Sequence, residues 1–277
     1  MRDEREFDVV VIGGGSGGYA AARTAHAAGL RVAVIEGGPE VGGLCILRGC
    51  MPTKALLYAA EVAHLARHAA TWGIQTGEVK VDFPAVMARK RKLIMEFADY
   101  RKGQLTDGRF TFIRAEARFQ DAHTLALSNG QTITGRHFVI STGSVVAEPP
   151  LRSLKETGYL TSDTALELDH LPQSLIVLGG GAIAVEMAQF FARMGTRVTI
   201  IQRGPRLLRD FDDDAAEAVE RALVAEGLHV YTDTKLIEAR KQGHHKTVIF
   251  EKDGKRIEAS AEEILFALGR TPNTRHL

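Results

Sequence analysis

Residues 7–36, FDVVVIGGGSGGYAAARTAHAAGLRVAVIE, decide the fold. The run FDVVVI at 7–12 is short, apolar and β-branched, and glycines end it, so it reads as a buried parallel strand. The alanine-rich stretch 17–28, stopped by Gly29, reads as a helix, and RVAVIE at 31–36 as a second strand. Together they make a βαβ unit. Between its first strand and its helix lies Gly13-x-Gly15-x-x-Gly18. That spacing alone is weak evidence. The βαβ context, with Glu36 18 residues beyond the last glycine, makes it a phosphate cradle. The first glycine permits the tight turn, the second lets a pyrophosphate reach the backbone, and the third lets helix and strand pack closely. The helix N-terminus then offers unpaired N–H groups and a partial positive charge. Glu36 can accept hydrogen bonds from ribose hydroxyls.

The same pattern returns 166 positions later without a gap: Gly13, Gly15 and Gly18 fall on Gly179, Gly181 and Ala184, and Glu36 on Gln202. A unit beginning at Ser174, with the strand LIVL at 175–178, a helix at 182–194 stopped by Gly195 and a strand at 197–201, forms the second repeat. Alanine is an accepted third residue of the cradle. A glutamate at 202 would repel a 2′-phosphate, whereas neutral Gln202 followed by Arg203 tolerates or attracts one. Arg206 and Arg209 lie nearby, so the second cradle leans towards NADP(H) over NAD(H). The bland reading of these arginines is a solvated loop. Elsewhere, helices are expected from Pro52 to about Thr71, over 84–101 and over 212–226. Residues 109–141 look β-rich with a hairpin at Asn129-Gly130. Further strands are expected near 228–231, 246–251 and 255–260, with a turn at Asp253-Gly254.

Composition narrows the partners. With 45% hydrophobic and 25% charged residues, the 277-residue chain reads as a soluble globular protein with room for two domains. A net charge of +1 gives no electrostatic reason to expect nucleic acid or an anionic membrane. No apolar run approaches the roughly 20 residues that span a bilayer. Met1 to Phe7 is charged rather than signal-like, so the cytoplasm is the expected compartment.

Only two cysteines are present, in Gly42-Gly43-Leu44-Cys45-Ile46-Leu47-Arg48-Gly49-Cys50-Met51-Pro52-Thr53-Lys54. A bare C-x4-C pair is a poor motif. No second pair and no histidine at ligand spacing accompanies it, so zinc is not expected and no metal ligand is assigned. In a regular helix, residues five apart point about 140° apart. A bond between these two therefore needs irregular backbone to bring their Cα atoms within roughly 4.4–6.8 Å. Gly42, Gly43 and Gly49 supply that freedom. A helix starting by Cys50, with Lys54 one turn on, favours a thiolate. The alternative is two buried, inert cysteines.

At these residues the chain resembles the class I pyridine nucleotide-disulfide oxidoreductases. GGLCILRGCMPTK resembles the redox-disulfide signature, FVISTGS (138–144) a second FAD-contacting segment that includes Thr142 and Gly143, and LGGGAIAVEMA (178–188) the nicotinamide-nucleotide motif. FALGRTPNT (266–274), with Gly269 and Arg270, resembles the strand returning to the FAD domain. The resemblance implies an α/β fold of two Rossmann-like dinucleotide-binding domains with three-layer ββα/βαβ character, the second inserted in the first. An FAD domain would take 1–148 plus 266–277, and an NAD(P) domain 149–265. It implies that hydride passes from NAD(P)H to FAD and on to a Cys45–Cys50 disulfide. Cys45 would exchange with substrate, and Cys50 would make charge-transfer contact with the flavin. Lys54 and Glu186 would form an ion pair near the flavin. The substrate would be a small-molecule disulfide or another electron acceptor, and full-length relatives would be homodimers.

Three departures stand out. Leu44 and Leu47 replace the Thr and Asn usual around the first cysteine. Ala182 stands where some members carry a gating tyrosine. The chain also ends at Leu277, where the family pattern continues into a dimerisation domain bearing a His-Glu acid-base pair, and His276 does not match that histidine. The leading expectation is a dihydrolipoamide dehydrogenase-like NAD(P)H:disulfide oxidoreductase. A mercuric reductase-like enzyme, a diaphorase-type acceptor reductase and an inactive nucleotide-binding truncation are the alternatives.

Overall fold

Each glycine turn follows a strand in the parallel part of its own sheet. The computed structural model describes residues 5–277. The first half of the chain runs β1 (Glu6–Ile12), α1 (Ser16–Ala27), β2 (Val32–Glu36), α2 (Gly43–Leu47), α3 (Cys50–Arg67), a 3₁₀ turn (Ala69–Trp72), α4 (Phe83–Thr106), β3 (Thr111–Arg114), β4 (Ala117–Phe119), β5 (Thr124–Leu127), β6 (Thr132–Ile140) and β7 (Ser144–Val146). The second runs α5 (Arg152–Thr157), β8 (Leu160–Thr161), α6 (Ser162–Ala165), β9 (Ser174–Leu178), α7 (Ala182–Met194), β10 (Arg197–Ile201), α8 (Asp213–Ala225), β11 (His229–Tyr231), β12 (Lys235–Gln242), β13 (His245–Lys252), β14 (Lys255–Ala261), β15 (Glu263–Phe266) and β16 (Arg270–Pro272). The fold is mixed α/β with Rossmann-like dinucleotide-binding architecture.

The chain divides into two units. One comprises the chain up to Pro52, Arg91–Val145 and Arg270–Leu277; the other comprises Thr53–Lys90 and Val146–Gly269. In the first, the strand order is β3-β2-β1-β6-β5-β4, parallel from β3 to β6 and antiparallel beyond. Side chains alternate along β1 because successive Cβ atoms point to opposite faces. Val9 and Val11 meet Tyr19 and Ala22 of α1, with Leu105 and Phe110, while Val10 and Ile12 pack with Ile35, Leu125 and Ile133.

In the second unit, five strands run in the order β11-β10-β9-β15-β8, all parallel. One face, through Leu175, Val177 and Ile200, packs on helices through Leu56, Met87, Phe190 and Phe191. The other, through Ile176, Leu178 and Ile264, packs on the antiparallel sheet β12-β13-β14 through Val248 and Phe250. Helices, parallel sheet and antiparallel sheet thus make three layers. Burying each large apolar side chain here contributes about 2–3 kcal/mol.

Several boundaries differ from the sequence reading. Residues 53–90 group with the second unit, not the first, because Leu56, Ala60, Phe83 and Met87 are buried in its helical layer. The first helix after the cysteines starts at Cys50 and ends at Arg67, with the 3₁₀ turn completing the run to Gly73. The segment 266–274 is split: Phe266 closes β15 in the second unit's sheet, and only β16, from Arg270, pairs with β7. Strand β12 was not expected. Of its eight residues only Ala239 is buried, so it carries almost no apolar periodicity.

Candidate functional site

In both sheets the strand order reverses beside the glycine turn, between β1 and β6 and between β9 and β15. Ligands of open α/β sheets bind outside the carboxyl ends of strands at such switch points. The two turns are built alike. The Gly13 N–H donates to the Ile35 carbonyl at 2.8 Å and Ser141 N–H to Ile12 at 2.8 Å; Gly179 donates to Ile201 and Ala267 to Leu178, both at 2.9 Å. Gly13 has φ +105°, and a Cβ there would lie 2.3 Å from the Ser141 carbonyl oxygen. Gly179 has φ +113°, and its Cβ would lie 2.5 Å from the Ala267 oxygen. The segment 138–144 therefore meets the first turn directly at Ser141. That residue stood inside the quoted motif but was not singled out.

Gly15 and Gly181 are the residues just ahead of α1 and α7, and neither helix start has a side-chain cap or an acidic residue in its first turn. Both ends thus carry the positive pole of a helix without a side-chain acceptor, as a pyrophosphate site requires. A Cβ on Gly18 would fall 1.8 Å from the Gly13 oxygen, so a side chain is excluded there. Ala184, fully buried, is the accepted counterpart.

Glu36 ends β2, and both its carboxylate oxygens are engaged. Oε2 accepts the Gly14 N–H at 2.9 Å and Oε1 the Gly38 N–H at 2.7 Å. Each oxygen keeps a lone pair for a ribose hydroxyl. Gln202 takes the matching place: its side chain lies about Gly180, and its Nε2 donates to the Arg206 carbonyl at 3.3 Å. The arginines after it divide. Arg206 donates to the carbonyls of Leu208, Arg209 and Phe211 and pairs with Asp213 at 2.7 Å, so it shapes the loop. Arg203 is exposed and forms no hydrogen bond or ion pair among the described residues.

The cysteines occupy a break between two helices. Cys45 lies in α2 and Cys50 is the first residue of α3, both as thiols. Arg48 leaves helical geometry at φ −140°, and a Cβ on Gly49 would meet the Leu44 oxygen at 2.9 Å and the Cys45 Cα at 3.3 Å. The chain thus folds back on Cys45 immediately before Cys50. At its other end α2 leans on the first cradle. Gly43 has φ +71°, and its Cβ would lie 2.4 Å from the Gly15 Cα. The sequence had marked Gly43 only as a source of freedom; this close approach gives it a specific task.

Lys54 and Glu186, 132 positions apart, meet: Nζ lies 2.5 Å from Oε1. Arg270 donates through Nε to Ser144 Oγ at 2.9 Å and through Nη2 to its carbonyl at 2.8 Å. Asn273 N–H donates to the Gly143 oxygen at 3.0 Å. Arg270 thereby holds the Thr142–Ser144 segment in place. Gly269 belongs to the second unit, where its oxygen accepts the Ala147 N–H at 3.1 Å. No helix among the described residues is long and apolar enough to cross a membrane.

Comparison with known proteins gives a consistent picture. The pattern of the family described as pyridine nucleotide-disulphide oxidoreductase matches residues 7–277. The chain is 35% identical over 276 residues to a mercuric reductase of Lysinibacillus sphaericus, covering 99% of this chain and 50% of the relative. It is 34% identical over 276 residues to a dihydrolipoyl dehydrogenase of Geobacillus stearothermophilus, covering 98% of this chain and 58% of the relative. Among solved structures, the HOCl-induced flavoprotein disulfide reductase RclA from Escherichia coli superposes with a TM-score of 0.82 at 29% identity, over 98% of this chain and 58% of that one. The chain spans about half the length of the curated relatives it matches.

Proposed function

Because the chain belongs to the pyridine nucleotide-disulphide oxidoreductase family, we propose that it carries the FAD site, the nicotinamide-nucleotide site and the redox cysteines of an NAD(P)H:disulfide oxidoreductase of the dihydrolipoamide dehydrogenase type. FAD, when bound, supplies the two-electron chemistry that links hydride transfer from reduced nicotinamide nucleotide to opening of a Cys45–Cys50 disulfide. The residues of the first unit fit it. Gly13 and Gly18 allow the tight turn and the close helix packing that a Cβ would block, the α1 start presents N–H groups without a side-chain cap, and Glu36, fixed by two backbone N–H groups, keeps lone pairs for a ribose. Thr142 and Gly143 lie next to Ser141 on the same turn, and Arg270 steadies them.

The observation that carries this reading is the packing of Gly43 on Gly15. It ties the helix bearing Cys45 to the phosphate turn, so the cysteines belong to the same site as the first cradle. Cys50, at the first position of an 18-residue helix, sits where the macrodipole favours a thiolate. Lys54 and Glu186 form the ion pair that the family resemblance expects near the flavin. Gly179, Gly181 and the uncapped start of α7 would receive the nucleotide pyrophosphate, with Ala184 letting that helix pack closely. Gln202 with the unengaged Arg203 favours NADPH, since Arg203 offers a 2′-phosphate a charged donor.

The test is anaerobic addition of NADPH to the purified yellow protein. A long-wavelength thiolate-to-flavin absorbance is expected, absent in Cys50→Ser while dye reduction persists. Protein that retains no flavin after reconstitution, or a band that survives in Cys50→Ser, rules the proposal out. Turnover of small disulfides set against that of mercuric ion then identifies the acceptor.

A further inference from the structure

The last turns of α3 carry a feature unconnected with the nucleotide cradles. His64 lies in the last turn of α3 and His68, four residues on, is the first residue beyond it, its N–H still donating to the His64 carbonyl at 3.1 Å. Their ring centres lie 4.3 Å apart with planes inclined at 34°. The Nδ1 of His68 lies 2.8 Å from the His64 carbonyl oxygen. A carbonyl can only accept, so Nδ1 carries the hydrogen and the Nε2 lone pair is left available. This is how metal-binding imidazoles are generally held, by a backbone carbonyl on the nitrogen that does not bind.

We propose that His64 and His68 form a two-imidazole chelate for a divalent transition ion of the zinc, nickel or copper class. Two histidines one helical turn apart on one face are a recurring zinc-binding arrangement. With metal–nitrogen bonds of about 2.0–2.1 Å, two imidazoles on one tetrahedral ion have ring centres about 5 Å apart, so binding requires His64 to turn its ring from the tilted, face-to-face arrangement until its nitrogen edge converges with that of His68. Imidazole suits these ions, whereas magnesium and calcium prefer oxygen. No set of three or more His, Cys, Asp or Glu ligands occurs among the described residues, so water completes the coordination. Glu61 and Glu226 are close by, and both are engaged by Arg193, which pairs with Glu226 through two 2.7 Å hydrogen bonds and with Glu61 through Nη1. The neighbourhood is therefore nearly charge-balanced, and the lone pairs of the two rings provide the affinity. An ion held there ties the end of α3 across its final turn.

The decisive measurement is zinc chloride titration by calorimetry on the Cys45→Ser/Cys50→Ser variant, which removes the thiols as competing ligands. One equivalent bound in the micromolar range is expected. His68→Ala and His64→Ala should each weaken it by about tenfold or more, and His244→Ala/His245→Ala should leave it unchanged. Zinc should also raise the melting temperature of the Cys45→Ser/Cys50→Ser variant and not that of the same variant carrying His68→Ala, with both proteins showing the same circular dichroism. Uptake that is absent in the cysteine-free variant, equally tight in His68→Ala, or lost with His244 and His245 overturns the proposal.

Discussion

Gly18 and Ala184 hold the same place in the two halves of the repeat, yet only the second accommodates a methyl group. In the first unit α1 presses against the turn so closely that a Cβ on Gly18 would lie 1.8 Å from the Gly13 oxygen. In the second, α7 leaves room for Ala184, which is fully buried there. The middle glycines differ too. Gly15 is backed by the Gly43 backbone, while a Cβ on Gly181 would meet nothing within 4 Å. The first cradle is a tight turn braced by the cysteine helix, and the second is the same turn left open. That contrast matches their proposed ligands: a cofactor retained through every turnover needs a fitted site, and a nucleotide that binds and leaves each cycle needs an accessible one.

The strongest way to break the comparison is to exchange the third residues. Gly18→Ala should cost about 3 kcal/mol, since backbone rather than a flexible side chain must give way. Ala184→Gly should cost only about 1 kcal/mol, the penalty of a glycine inside a helix. Thermal melting with flavin retention measures both, and equal shifts would show the two cradles to be interchangeable. Next in size is Glu36→Ala, which leaves the Gly14 and Gly38 N–H groups without their acceptor and should cost about 2 kcal/mol. Gln202→Ala removes only the 3.3 Å bond to the Arg206 carbonyl and should cost less than about 1 kcal/mol. A larger loss at Gln202 than at Glu36 would reverse the assignment of which carboxamide or carboxylate braces its turn.

The elements that carry this contrast could be read from the sequence, for reasons that are local. Glycine turns and β-branched runs act over a few residues, so α7 and β10 fall where the 182–194 and 197–201 segments put them. What escaped depends on distant partners. The allegiance of 53–90 rests on Leu56, Phe83 and Met87, whose apolar character says nothing about which sheet they cover. The contact of Gly43 with Gly15 spans 28 positions and has no periodic signature. Lys54 and Glu186, 132 positions apart, were paired only through the family resemblance. Arg206 looked like Arg203 because composition cannot show that a turn through Leu208, at φ +47°, folds three carbonyls onto one of the two guanidinium groups.

That division of the arginines gives a smaller effect. Arg203→Glu should lower the preference for NADPH over NADH by about tenfold, or about 1.4 kcal/mol, with little change in melting temperature. Arg206→Ala should do the opposite, lowering stability while leaving the ratio of kcat/KM values for the two nucleotides nearly unchanged. If Arg206→Ala shifts that ratio and Arg203→Glu does not, the 2′-phosphate contact has been given to the wrong residue.

The least effect lies at the opposite ends of the sheets. In the first unit Asp8 Oδ2 accepts the Arg31 N–H at 3.0 Å, and its Oδ1 lies 3.6 Å from Arg136, a partner charged at every working pH. In the second, Glu262 accepts the Gln173 N–H at 2.8 Å and faces His170 at 3.4 Å. The hydrogen bond from His170 to Asp169, aided by the charge of Glu262, raises the histidine above its ordinary 6.5. A raised value in the folded state means the protonated ring favours folding. Its contribution is complete below pH 6.5 and is lost as pH climbs through the folded-state value. Because the pair is exposed to solvent, the loss should stay below about 0.5 kcal/mol. Melting curves across that range should show a small decline that His170→Asn abolishes and Arg136→Gln does not. A decline that persists in His170→Asn would place the titrating group elsewhere and remove the electrostatic distinction between the two sheet ends.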